Sequence, residues 1–85
     1  MHSIEYTRDA AKALVKMPRT LRELMLNKIE AVAADPYGAH NNVSRLQGRP
    51  EFRLRVHAWR VVYRVLDDRV VLLVIKIGAR GQVYE

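Results

Sequence analysis

The spacing of apolar residues changes character along this chain and divides it into elements. Ile4 and Tyr6 fall on one side of a two-residue repeat, and both suit a short strand. Thr7 and Asp9 follow, with side-chain oxygens able to accept the orphan N–H groups of a helix start. Ala10, Leu14 and Met17 then recur at helical spacing, predicting a first helix through about Met17. Pro18 ends or kinks that helix and also suits the first turn of another. In the second helix Leu21, Leu24, Met25, Ile29, Val32 and Ala33 form one stripe, with Arg22, Lys28 and Glu30 elsewhere on the cylinder. Pro36 disfavours helical geometry at the preceding residue, so this helix should stop near Asp35. Two helices joined by so tight a break form an antiparallel hairpin whose apolar stripe must cover a second layer.

The second half reads as strands. After a loop over 37–42, a short strand is expected over 43–46, then a turn from Gly48 to Pro50. Strict alternation follows: Phe52, Leu54 and Val56 share one parity, and Arg53, Arg55 and His57 the other. The chain bends near Ala58 and resumes as a strand over 59–66, and Asp67-Asp68 suits a hairpin turn. The apolar run inside 69–77 predicts a strand buried on both faces, central in the sheet and aggregation-prone if exposed. Gly78, Arg80 and Gly81 mark a loop before Val83, Tyr84 and Glu85. The sum is a single α+β domain over residues 1–85: an N-terminal strand and a helical hairpin packed on a twisted antiparallel sheet.

Composition narrows the function classes. A chain of 85 residues buries only about 60% of its unfolded surface, so modest stability is expected. There is no cysteine, hence no disulfide or thiolate metal site, and His2, His40 and His57 lack metal-ligand spacing. No metal or other cofactor is expected. The N-terminus has no apolar signal-peptide core, and the run from Val70 to Ile75 is too short to span a bilayer. A cytoplasmic protein is expected. The net charge of +6 on a chain 49% apolar describes a folded basic domain, which attracts nucleic acid, an acidic protein or a membrane surface.

That charge is concentrated. Arg45, Arg49, Arg53, Arg55, Arg60 and Arg64 face one acid, Glu51, in the same stretch. Adjacent strands would gather Arg53, Arg55, His57 and Arg60, and the planar guanidinium fork matches phosphate oxygens. Arg45, Arg49 and Arg64 would extend a phosphate-binding surface around them; the alternative is that these arginines form an ordinary solvated face of the sheet. Arg80 and Tyr84 add a cation and an aromatic past the last strand, where a base could stack. His57 has the only side chain of the cluster whose ordinary pKa suits proton transfer near neutrality. Trp59 and Tyr63 are expected to pack the core, and no serine triad, paired carboxylates or glycine-rich phosphate loop is present.

These features, in order, resemble the RelE/ParE superfamily of bacterial toxin–antitoxin toxins, and the RelE branch in particular. The resemblance rests on the β-α-α start, A-K-A-L-V-K-M-P, L-Q-G-R-P-E-F-R-L-R-V, W-R-V-V-Y-R-V-L-D-D and I-G-A-R with a late V-Y. It implies a ribosome-dependent mRNA endonuclease that cuts in the A site without a metal. The ribose 2′-OH attacks the neighbouring phosphate, leaving a 2′,3′-cyclic phosphate and a 5′-OH. It further implies a cognate antitoxin, with promoter DNA bound only through the antitoxin complex, and no membrane partner. By the same resemblance Arg53, Arg55, Arg60, Arg80 and Tyr84 are the catalytic set, with Arg80 assisting the leaving oxygen and Tyr84 orienting a base. Arg53 and Arg55 stand where the best-known RelE has lysines, one of them considered a general base. Arginine is effectively always protonated, so either positioning and charge suffice or another group, with His57 the candidate, accepts the proton. With one residue after Tyr84, the C-terminal helix of some relatives is not expected. Two other readings stand beside this one: a ParE-like toxin acting on DNA gyrase, and a non-catalytic module that binds an antitoxin or nucleic acid.

Overall fold

Thr7 joins the first strand to the first helix and sets the geometry of both. The computed structural model describes residues 2–79. Strand β1 (Ser3–Tyr6) leads into helix α1 (Arg8–Lys16), whose N-cap is Thr7. The Thr7 hydroxyl oxygen accepts the Ala10 N–H, and its proton goes to the Ile75 carbonyl. Asp9 lies in the first turn and Lys16 in the last, both favourable to the helix dipole. Pro18 then caps helix α2 (Arg19–Ala34), which stops one residue before Asp35, as the following Pro36 requires. Gly38 completes the exit turn, where a Cβ would collide with the Asp35 carboxylate.

Four further strands follow: β2 (Val43–Arg45), β3 (Phe52–Val56), β4 (Trp59–Leu66) and β5 (Val71–Ala79). With β1 they form one sheet in the order β1-β5-β4-β3-β2. The meander from β2 to β5 is antiparallel, as expected, but β1 pairs β5 in parallel, from Ser3 opposite Val71 to Tyr6 opposite Val74. The sheet is therefore mixed. No hairpin turn joins β1 to β5, so no local connection imposes an antiparallel direction on that pair.

Both helices cover one face of the sheet. Ala10, Leu14, Met17, Met25, Ile29, Val32 and Ala33 meet Leu54, Val56, Val61, Tyr63, Leu72, Val74 and Ile77 in one buried cluster. The α2 stripe is the expected one, with Leu21 and Leu24 at its partly buried margin. Burying a side chain of this size contributes about 1.5–3 kcal/mol, so this cluster holds the layers together. Strand β5 is interior to the sheet, and it continues through Gly78 and Ala79, where a loop was expected, because Arg60 and Trp59 of β4 still pair there. Between Val62 and Tyr63 the β4–β5 register slips, leaving Ile75 unpaired in a bulge. The Thr7 hydroxyl satisfies the Ile75 carbonyl at that bulge.

Candidate active site

Alternation along β3 sends Leu54 and Val56 into the core and leaves Arg53 and Arg55 on the face away from the helices. The β3–β4 hairpin places Arg60 directly opposite Arg55, and Arg53 opposite Val62. The Arg55 N–H points away from β4 and donates to the Asn42 carbonyl at 2.9 Å. The Arg55–Arg60 pair is therefore a non-hydrogen-bonded one, the kind in which opposed side chains lie closest. The two cationic side chains thus leave the sheet side by side on the same face.

Arg53, Arg55 and Arg60 line one cavity of about 270 Å³, closed by Asn41, Asn42, Val43 and Ser44 from the loop before β2 and from β2 itself. No acidic side chain is among the described lining residues. Arg53 donates from Nε and Nη2 to the Ser44 Oγ at 3.3 and 3.1 Å, across the β2–β3 pairing of the same two residues. Arg60 folds back on the hairpin, with Nη1 3.2 Å from the Trp59 carbonyl and 3.4 Å from that of His57. The cavity is thus a polar, cationic recess on a rigid hairpin, and its donors suit an anion with several oxygens, such as a phosphodiester.

His57 departs from the expected arrangement. Strand β3 ends at Val56, and His57 occupies the turn with a φ of 55°, so strand parity no longer places it beside Arg53 and Arg55. The two-residue connection demands such a conformation, and histidine is among the residues that tolerate it. The imidazole is not part of the described cavity lining. Arg64 is exposed on β4, by alternation on the same face as Arg60. Arg45 has the opposite parity from Ser44, and its guanidinium lies 5.7 Å from the centre of the Phe52 ring, a cation–π contact. Arg49 is exposed in the turn that follows Gly48, where the φ of 73° suits glycine. Arg80 and Tyr84 lie outside the described residues. Strand β5 reaches the site at its described end, with Gly78 opposite Arg60.

Asn41, Asn42 and Ser44 belong to the cavity but carried no functional signal in the sequence, where 37–42 read only as a flexible-angle loop. The register of β2 on β3 is what brings Ser44 to Arg53, and the intervening turn hides that register from the sequence. Among the described residues no three His, Cys, Asp or Glu side chains come together. No helix in the described part is long and apolar enough to cross a membrane.

The family model for the ParE toxin of type II toxin–antitoxin system, parDE, matches residues 4–84. The mRNA interferase toxin RelE of Escherichia coli K12 is 31% identical over 80 residues, covering 91% of this chain and 81% of that protein. The crystal structure of the isolated E. coli RelE toxin superposes with a TM-score of 0.80 at 29% identity, covering 99% of this chain and 92% of that one. A chain of the intact E. coli RelBE toxin–antitoxin complex gives 0.81 at 27% identity, covering 96% and 100%.

Proposed function

Because this chain belongs to the RelE/ParE superfamily of type II toxins, we propose that it is a ribosome-dependent endoribonuclease that cuts mRNA in the A site and arrests translation. The convergence of Arg53, Arg55 and Arg60 on one cavity carries this reading. In the reaction the ribose O2′ forms a bond to phosphorus and the bond from phosphorus to O5′ breaks. The 2′-OH proton passes to solvent or, if His57 is the base, to its imidazole; the departing O5′ takes up a proton, and the products are a 2′,3′-cyclic phosphate and a 5′-OH. Negative charge builds on the phosphoryl oxygens as the new bond forms, and fixed guanidiniums stabilise it without reorganising. The Arg55–Arg60 pair is suited to this work, since register places two cationic side chains on one face beside the cavity.

The remaining roles rest on the sequence match. Arg80 assists the leaving oxygen and Tyr84 orients a base. Arg64, Arg49 and Arg45 contribute to RNA binding, with Arg64 best placed because it continues the Arg60 face. The ribosome supplies the rest of the alignment, and a cognate antitoxin, as in the RelBE complex, holds the toxin inactive. Promoter DNA is reached only through that complex. Since no arginine takes up a proton, positioning and charge drive the reaction; His57, in the adjoining turn, is the proton acceptor to test.

Translation in a cell-free system measures these assignments. Arg60→Ala and Arg55→Ala should each relieve the arrest, lowering the cleavage rate by about 10²–10³, with unchanged thermal melting. Full arrest by both variants would remove the cavity from the mechanism. His57→Ala should retain most of the rate if positioning and charge suffice, whereas a loss as large as that of Arg60→Ala would make His57 the base. A second reading, supported by the ParE family model, is inhibition of DNA gyrase. A supercoiling assay separates the two: loss of gyrase activity with intact mRNA on ribosomes would favour that alternative.

A further inference from the structure

We propose that Ser44 is a positioning residue for this chemistry, fixing the plane in which Arg53 presents its guanidinium to the cavity; the inference rests on the cleavage activity proposed above. Ser44 and Arg53 are register partners on β2 and β3. The Ser44 Oγ receives both Nε and Nη2 of Arg53, at 3.3 and 3.1 Å. Those two nitrogens form one edge of a rigid planar fork, so a single acceptor bridging them sets the orientation of the whole group.

The arrangement also assigns the serine proton. A hydroxyl has two acceptor sites and one donor, and here both acceptor sites are taken by N–H groups of Arg53. Ser44 therefore cannot accept the proton of the attacking 2′-OH, and its own O–H is left to donate. The Ser44 backbone is held opposite Arg53 by the β2–β3 pairing, which the Arg55 N–H extends to the Asn42 carbonyl at 2.9 Å. An arginine has many rotamers, and a donor aimed in advance at the developing charge contributes more than one that must first be ordered.

The test compares Ser44→Thr with Ser44→Val. Both side chains are branched at Cβ, suit a strand, and differ in the hydroxyl alone. Single-turnover cleavage on programmed ribosomes is measured against toxin concentration, together with thermal melting. Ser44→Thr should cut within about threefold of the parent rate, while Ser44→Val should fall about tenfold at saturation with its half-saturating concentration little changed. In an Arg53→Lys background the Thr and Val variants should differ by less than about twofold, because an ammonium has no Nε–Nη edge to fix. Equal rates for the Thr and Val variants with Arg53 present overturn the proposal. So does an equal tenfold gap in the lysine background, which would make the hydroxyl act independently of Arg53. A parent chain that cuts nothing overturns the underlying cleavage reading and this inference with it, and that result is seen before any variant is tested.

Discussion

Tyr63 is 1% exposed, its ring stacked on Phe52 with centroids 5.5 Å apart and planes 13° from parallel. Its hydroxyl is buried with no hydrogen-bond partner among the described residues. An unpartnered buried hydroxyl destabilises a fold, so Tyr63→Phe should raise stability by about 1 kcal/mol in denaturant unfolding, and a loss of stability would show that the hydroxyl is satisfied. Burial also pushes the Tyr63 hydroxyl from its ordinary 10.0 up to about 12. The folded state thus favours the protonated phenol, and the associated stability is complete below pH 10.0 and is lost as pH rises through about 12. The alkaline decline of the melting temperature between those limits should be shallower in Tyr63→Phe; an identical decline would assign it to Tyr6 and Tyr37, whose hydroxyls are also raised. At this scale much was readable from the sequence. Alternation alone separated Leu54 and Val56 from Arg53 and Arg55, because a side-chain period of two has only two faces to choose from. His57 escaped that rule because the two-residue turn begins with it.

The elements carry their own tensions, and the turn between β4 and β5 shows one. Asp67-Asp68 suggested a two-residue hairpin, but the connection spans four residues, 67–70, and leaves Val70 at a φ of 54°. The Arg69 N–H bonds the Leu66 carbonyl and the Val70 N–H bonds that of Asp67, so two of the loop's N–H groups are satisfied within it. A left-handed conformation costs a branched residue about 1–2 kcal/mol, whereas asparagine tolerates it. Val70 is 51% exposed, so little packing is lost on replacement. Val70→Asn should therefore stabilise the protein by about 1 kcal/mol, seen as a higher melting temperature; a lower one would mean that the Val70 side chain contributes more through contact than it costs in strain. Turn composition alone could not show this loop length, because it depends on where β5 takes up its pairing with β4 and β1. The helices were more legible, since Thr7, Pro18 and Pro36 act locally on the backbone next to them.

At the scale of the molecule, two apolar helix faces and a sheet of alternating strands leave one arrangement in which both stripes are buried. That is why the α+β class was legible, while the parallel pairing of β1 with β5 was not. The same reasoning accounts for the site. Burying Leu54, Val56, Val61 and Tyr63 against the helices obliges Arg53, Arg55 and Arg60 to share the other face. The sequence could not show that Ser44 and the Asn41-Asn42 loop close that face into a cavity, because this depends on strand register across a turn. If the cationic recess is the cutting site, mRNA is cleaved only when the ribosome presents it, and primer-extension mapping of an mRNA incubated with the purified protein, with and without programmed ribosomes, decides this. New 5′ ends are expected within the A-site codon in the ribosome-containing reaction alone, and none with Arg60→Ala. Cuts in free RNA, or intact mRNA in both reactions, would overturn the proposed activity.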